Sequence, residues 1–140
     1  MKGNFSVMDL GTSNCYNCTS VNGISNNGII VGEAFRAGFF TGWLKEAADD
    51  DYFVQNGDTV FTGMNSNTDM VGYSAFGGGW LAKGIEVNEG TSDPEKNPAY
   101  IQGAYPNSNT TYPFGLNGHD AVVGVYEDET GTHGFLAAPE

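Results

Sequence analysis

Two cysteines, Cys15 and Cys18, are separated by two residues and carry the most reactive side chains in the sequence. This spacing occurs in thiol–disulfide oxidoreductases and in half of a four-ligand zinc site. A redox pair needs a helix N-terminus that lowers the thiol pKa, whereas the polar residues flanking this pair are typical of a loop. A zinc site would have only His119 and His133 to complete it. We therefore expect a local structural disulfide in an extracellular protein.

Acidic clusters offer the other chemistry that the sequence suggests. Asp49, Asp50 and Asp51 would present hard oxygen ligands to Ca²⁺, and so would the cluster Glu127 to Glu129. Neither cluster follows the spaced Asp-x-Asp-x-Asp-Gly pattern of a calcium loop. Adjacent acids are also ordinary on a solvated turn, where water and salt screen their repulsion. The first cluster is a weak Ca²⁺ candidate, and no other cofactor is expected.

Catalytic machinery is not indicated. A triad would pair His119 or His133 with an acid such as Asp120 or Glu127 and with one of the many hydroxyls. The sequence has no Gly-x-Ser-x-Gly nucleophile motif, and His119 falls in a turn where polar residues are expected anyway. It also has no Gly-Lys-Ser/Thr phosphate loop. We expect that the protein is not an enzyme.

The net charge of the chain limits the classes of partner that it is expected to bind. In 140 residues, 17 acidic residues stand against 5 basic ones, which gives a formal net charge of −12. This charge disfavours binding to nucleic acid phosphates or to an anionic bilayer. No apolar run is long enough to span a membrane, and residues 1–7 lack the apolar core of a signal peptide. We expect neither nucleic-acid binding nor membrane insertion.

The composition indicates a single β domain. Glycine accounts for 21 residues, about twice the usual share, while charged residues make up only 16%. The remaining polar residues are mainly Asn, Thr and Ser, and 13% of the chain is aromatic. Short strands joined by tight turns have this composition. We therefore expect an all-β protein, located outside the cell or on its surface.

An internal repeat gives the organisation of that domain. Three ten-residue segments, 23–32, 63–72 and 115–124, align without a gap, and each begins and ends on Gly. In each, an aliphatic residue or Met precedes a polar turn and an apolar run that ends in Val-Gly. Asn, Asp and Gly tolerate the positive φ of a tight turn, and Val and Ile suit half-buried strands. Each segment is predicted to form a β-hairpin.

A third strand is predicted where a small residue meets an aromatic one. These steps are Gly38-Phe39-Phe40, Gly79-Trp80-Leu81 and Gly134-Phe135-Leu136. The repeats then lie near residues 21–41, 61–82 and 112–137, with a loop insertion at 88–111 and a short helical turn at 43–48. Three units are too few to close a propeller. The expected fold is three antiparallel hairpin or meander repeats that form a sandwich or barrel-like domain.

A detachable strand is predicted at residues 5–10, before a polar segment that reaches Ser20. Its strand-donor contacts would be Phe5, Val7, Met8 and Leu10. Such a strand can pair with its own domain or be donated to the edge of a neighbouring subunit. A donated strand makes a head-to-tail contact that does not close, which generates a filament.

Three Asn-x-Ser/Thr sequons are candidate glycosylation sites. Their acceptors are Asn4, Asn17 and Asn109. They would carry glycans only if the protein passes through a glycosylation system.

Together these residues resemble the HAF-type repeats of predicted extracellular microbial proteins. In that family, a strand reading Asp-Leu-Gly, as at Asp9-Leu10-Gly11, leads into an Asn-rich hairpin ending in Val-Gly and then a His-Ala-Phe step. The segment His133-Gly134-Phe135 is the nearest match to that step, and the other two repeats replace it. The resemblance implies repeated antiparallel β units and a location outside the cell, and it attaches no catalytic residues.

Two functions from different classes follow. The first is a non-catalytic extracellular structural protein, the self-associating subunit of a surface fibre or matrix assembled by strand donation. The second is a monomeric, lectin-like module that binds glycans. Its sugar-stacking aromatic side chains would be Trp43, Trp80, Tyr52, Tyr73 and Tyr126.

Overall fold

The computed structural model describes residues 19–36, 38–46, 52–54, 58–74, 78–85 and 101–139. In this part of the chain the fold is all-β, with eleven strands in three antiparallel sheets, as predicted. Sheet A contains β1 (Thr19–Ile24), β2 (Ile29–Arg36), β3 (Phe39–Glu46) and β4 (Tyr52–Val54). Sheet B contains β5 (Thr59–Met64), β6 (Met70–Ser74), β7 (Gly79–Ala82) and β8 (Ile101–Gly103). Sheet C contains β9 (Thr110–Leu116), β10 (Val122–Asp128) and β11 (Gly131–Ala137), so each sheet is a meander in chain order.

The predicted hairpins form the first two strands of each sheet. At the start of each turn, a side-chain oxygen accepts a hydrogen bond from the backbone N–H four residues later. These bonds join Ser25 to Ile29 (3.1 Å), Asn65 to Asp69 (3.0 Å) and Asn117 to Ala121 (3.1 Å). The last turn residue has a positive φ in all three: Gly28 (81°), Thr68 (61°) and Asp120 (59°). The turn therefore repeats although its residues differ, because Ser and Asn oxygens can both stabilise it.

Each first strand also contains a β-bulge at the residue before the first Gly of the repeat. The extra residues are Asn22, Thr62 and Phe114. Opposite the second bulge the middle strand carries Gly72, where a Cβ would overlap both the Val60 carbonyl oxygen and the Trp80 ring. In the other sheets, a Cβ at Gly32 or Gly124 would likewise overlap a backbone carbonyl oxygen and an aromatic ring. The Gly that ends each repeat is thus required by a close approach of backbone and ring.

The third strand of sheet A shows that the predicted alignment of the first repeat with the other two was wrong. Trp43 pairs with Gly32 as Trp80 pairs with Gly72, so the equivalent step in the first repeat is Gly42-Trp43-Leu44. The predicted step at Gly38 was wrong by four residues, and Gly38 instead lies between β2 and β3 with a φ of 98°. The helical turn predicted at 43–48 was also wrong, because Trp43 to Glu46 belong to β3. Both Trp43 and Leu44 are fully buried, as expected for a strand covered on both faces.

Two further strands and the insertion differ from the predicted layout. Sheets A and B each gain a fourth strand, β4 and β8, that the repeat pattern did not indicate. The loop predicted at 88–111 contains β8 and the start of β9, since β8 pairs with β7. The strand predicted at 5–10 and the first part of the predicted insertion, residues 88–100, lie outside the described residues.

The sheets stack as layers, and the core lies between sheets A and B. β5 packs on the face of sheet A, and β9 packs on the face of sheet B. The core cluster contains Ile29, Val31, Leu44, Phe61, Met64, Met70, Trp80, Ala82 and Ile85. The arrangement is sandwich-like, and the strands described do not close into a barrel. Among these residues, no helix has the length and apolar character needed to cross a membrane.

Candidate assembly surface

The stacking of the three sheets has a direction. The first strand of sheet B lies on sheet A, and the first strand of sheet C lies on sheet B. We call the face that receives the next sheet the forward face. It carries a Val, a Gly and a Leu at equivalent register positions. These residues are Val31, Gly42 and Leu44 in sheet A, Val71, Gly79 and Leu81 in sheet B, and Val123, Gly134 and Leu136 in sheet C.

The forward-face glycine forms a hollow that a ring fills. In sheet A, a Cβ at Gly42 would overlap the ring of Phe61 from sheet B. In sheet B, a Cβ at Gly79 would lie 2.8 Å from the Pro113 Cδ of sheet C. Phe61 and Pro113 hold the same position, one residue before the bulge. Both interfaces therefore use the same fit of a ring over a glycine.

Equivalent hydrogen bonds join sheet A to sheet B and sheet B to sheet C. The bulge residue of one repeat donates to the carbonyl oxygen of the ring residue in the next: Asn22 Nδ2 to Phe61 O (2.9 Å) and Thr62 Oγ1 to Pro113 O (2.7 Å). Turn residues do likewise, since Asn27 Nδ2 donates to Ser66 O (2.7 Å) and Asn67 Nδ2 to Gly118 O (3.1 Å). In both interfaces these side-chain donors belong to the earlier repeat and the carbonyl acceptors belong to the later one.

The Thr62→Val variant tests this bond. Thr62 is buried, and its hydroxyl contacts Val71 O (3.2 Å) as well as Pro113 O (2.7 Å). Leaving both buried acceptors without this donor is expected to lower the free energy of unfolding by about 1–3 kcal/mol in urea titrations. The matched control is Thr132→Val, because that residue is exposed and its change should stay within about 0.5 kcal/mol. Equal effects of the two variants would contradict the role of Thr62.

Sheet C leaves its forward face open. Val123 is 48% exposed, whereas its equivalents Val31 and Val71 are fully buried. Leu136 is 71% exposed, and its equivalent Leu44 is fully buried. At Gly134 a Cβ would come no closer than 4.0 Å to any neighbour, so its hollow is empty among the described residues. The bulge residue Phe114 adds a further exposed apolar side chain beside them.

A cleft of about 490 Å³ lies on the other side of sheet C, facing sheet B. Its walls include Leu81, Tyr105, Pro113, Val122 and Phe135. The cleft has a physical origin, because larger side chains occupy the corresponding positions between sheets A and B. There Trp80 stands in place of Phe135 and Met70 in place of Val122, and both are core residues.

An ion pair lies at the polar end of this cleft. Lys83 Nζ lies 2.6 Å from Asp120 Oδ2, and both residues line the cleft. The hydrogen bond from Lys83 lowers the pKa of Asp120 below its ordinary value, and Asp120 in turn raises the pKa of Lys83. Asn65 Nδ2 also approaches Asp120 Oδ1, at 3.4 Å. The pair therefore links the end of sheet B to the hairpin turn of sheet C.

The histidines do not form a catalytic arrangement. His133 Nε2 lies 3.2 Å from Asp128 Oδ1 and 2.9 Å from Thr130 Oγ1, so both partners meet the same ring nitrogen. A triad needs its acid on one ring nitrogen and its hydroxyl on the other. Thr130 also donates to Asp128, which lowers the pKa of that carboxyl. His119 is exposed in its turn, where its backbone N–H donates to Asn117.

The structure describes only some of the predicted site residues. Asn109 is exposed just before β9, and its backbone N–H donates to Glu127 O (2.7 Å). Trp43 and Trp80 are buried, which removes two of the proposed sugar-stacking side chains. In the ranges described, no three His, Cys, Asp or Glu side chains are placed to hold a metal ion. The following candidates lie outside the described residues and stay predictions: Cys15, Cys18, Asn4, Asn17, Phe5, Val7, Met8, Leu10, Asp49, Asp50 and Asp51.

Sequence reasoning missed the residues that build the stacking interface. The signal was present as a Gly-aromatic-Leu step in all three repeats: at Gly42, at Gly79 and at Gly134. Its meaning depends on a ring from the following repeat, which no local pattern contains. Comparisons with protein-family models, curated proteins and solved structures gave no match.

Proposed function

We propose that the protein is a non-catalytic extracellular structural protein, the repeating subunit of a surface fibre or matrix. The observation that carries the proposal is the open forward face of sheet C. It exposes Val123 and Leu136 at positions that sheet A buries against its neighbour. Exposed apolar clusters of this kind are typical of interaction sites.

The geometry of the stack favours a fibre over a closed dimer. Each interface joins two different surfaces, a first strand and a forward face, so it is heterologous. A heterologous contact repeated between subunits generates an open assembly unless its rotation closes a ring. Strand donation by residues 5–10 is an additional element of the proposal, and face-to-face stacking does not depend on it.

The alternative, a glycan-binding module, has weaker support. The cleft between sheets B and C contains aromatic side chains, including Tyr105, which stacks on Tyr126 with ring centroids 3.8 Å apart. Its walls are mainly apolar, and the polar groups at its end are already paired as Lys83 and Asp120. Sugar sites need several convergent hydrogen-bonding groups. The forward face therefore supports self-association better than the cleft supports sugar binding.

Association must overcome the net charge of −12. We expect the protein to form end-to-end assemblies in a concentration-dependent way, and added NaCl to promote them because salt screens the repulsion between subunits. Light scattering coupled to size-exclusion chromatography, followed by electron microscopy, measures both effects. A protein that stays monomeric at every concentration and salt level would contradict the proposed function.

A further inference from the structure

We infer that the forward face of sheet C binds β1 of a second copy of this chain, with Val21 seated over Gly134. This inference rests on the proposed function and names the partner surface of that assembly. The contact would repeat the seating of a first strand on a forward face that occurs in both interfaces inside the chain. It would join the last sheet of one subunit to the first sheet of the next.

β1 exposes residues that its equivalent in sheet B buries. Val21 holds the position of the ring residue Phe61, and Ile24 holds the position of Met64. Phe61 is fully buried and Met64 is 5% exposed, because both pack against sheet A. Val21 is 59% exposed and Ile24 is 66% exposed. The first strand thus exposes the two side chains that its equivalent β5 buries, although Trp43 on the same face of sheet A is fully buried.

The side chains exposed on β1 also fit the forward face of sheet C. The hollow at Gly134 is equivalent to those that receive Phe61 and Pro113, and it is empty among the described residues. Val21 is smaller than the Phe61 ring and enters such a hollow without overlap. β1 reads Thr-Ser-Val-Asn-Gly-Ile and has no charged residue, so this strand itself brings no charge into the contact.

Polar groups are also available on both surfaces. Inside the chain, Asn27 and Asn67 donate to the turn of the next repeat. His119 holds the same turn position in sheet C, where its ring N–H can donate to the carbonyl oxygen of Asn26 in the second copy. The bulge position differs, because Phe114 replaces the donors Asn22 and Thr62. There the contact would be apolar.

The occupant is another copy because β1 does not reach the sheet C of its own chain. Were the stack closed within one chain, Val21 and Leu136 would be buried, and both are more than half exposed. A chain that exposes two complementary surfaces, here β1 and the forward face of sheet C, associates head to tail.

A crosslinking experiment tests the predicted register. Protein carrying Val21→Cys is mixed with protein carrying Gly134→Cys, both in a Cys15→Ser/Cys18→Ser background, and treated with a short thiol–thiol crosslinker. We expect crosslinked dimers at least tenfold more abundant than in a control mixture in which Glu129→Cys replaces Gly134→Cys. Glu129 is exposed in the turn between β10 and β11, away from the forward face.

Blocking variants separate this inference from the proposed function. Gly134→Trp fills the hollow, and Val21→Asp places a charge on the stacking strand. Because both sites are open in the single subunit, the melting temperature should not change, while the concentration for half-association should rise at least tenfold. If the parent assembles and the variants assemble equally well without specific crosslinks, this inference fails and the proposed function stands. If the parent never assembles, both fail.

Discussion

Replacing Gly72 by alanine is expected to lower the free energy of unfolding by about 3 kcal/mol, the upper end of the usual range for overpacking a closely packed site. Gly72 lies in the centre of β6, opposite the bulge of β5. A Cβ there would overlap the Val60 carbonyl oxygen and the Trp80 ring. The strand cannot move away, because its pairing with β5 and β7 holds it from both sides. Urea or thermal unfolding followed by circular dichroism measures the loss.

The matched control is Gly118→Ala. Gly118 lies in the hairpin turn of sheet C, and nothing stands within 4 Å of the position of its Cβ. Its substitution should leave the free energy of unfolding within about 0.5 kcal/mol of the parent. A Gly72→Ala protein as stable as this control would show that the bulge does not constrain the middle strand.

Phe61→Ala is expected to destabilise the protein by about 3–5 kcal/mol, the range for deleting a buried aromatic ring. The ring is fully buried and fills the hollow at Gly42. It also meets Trp80 edge to face, with ring centroids 5.7 Å apart. Its removal leaves a cavity between sheets A and B at the centre of the core.

Phe114→Ala serves as the control for this second variant. Phe114 is adjacent to the equivalent position in sheet C but is 52% exposed. Truncating a half-exposed ring removes less buried surface, and we expect less than half of the Phe61→Ala effect. Equal losses in chemical denaturation would contradict the assignment of Phe61 as the ring that joins the two sheets.

The local parts of the fold could be predicted from the sequence. The Asn, Asp and Gly residues of each repeat encode a turn, and the apolar run that follows encodes a strand, so the hairpins needed no distant contact. The three-sheet organisation followed because the hairpin pattern occurs three times. Helix propensity misled only where Trp43 to Glu46 enter β3, since pairing with β2 overrides local preference.

The stacking interface could not be predicted in the same way. Its essential pairs, Gly42 with Phe61 and Gly79 with Pro113, are separated by 19 and 34 positions in the chain. A glycine in a strand indicates a close approach without naming what approaches. The most prominent sequence candidates, Cys15, Cys18 and the acids at 49–51, lie outside the described residues, so the assembly surface had to be found from the three-dimensional arrangement.

The one-way packing of the sheets also bears on how the chain folds during synthesis. The hollow at Gly42 is complete once residue 46 has left the ribosome, before Phe61 emerges. Each finished sheet is then a template for the first strand of the sheet that follows it. Because domains and their parts fold from the N-terminus as they emerge, the direction of stacking matches the direction of translation. No sheet therefore has to form before the sheet on which it packs.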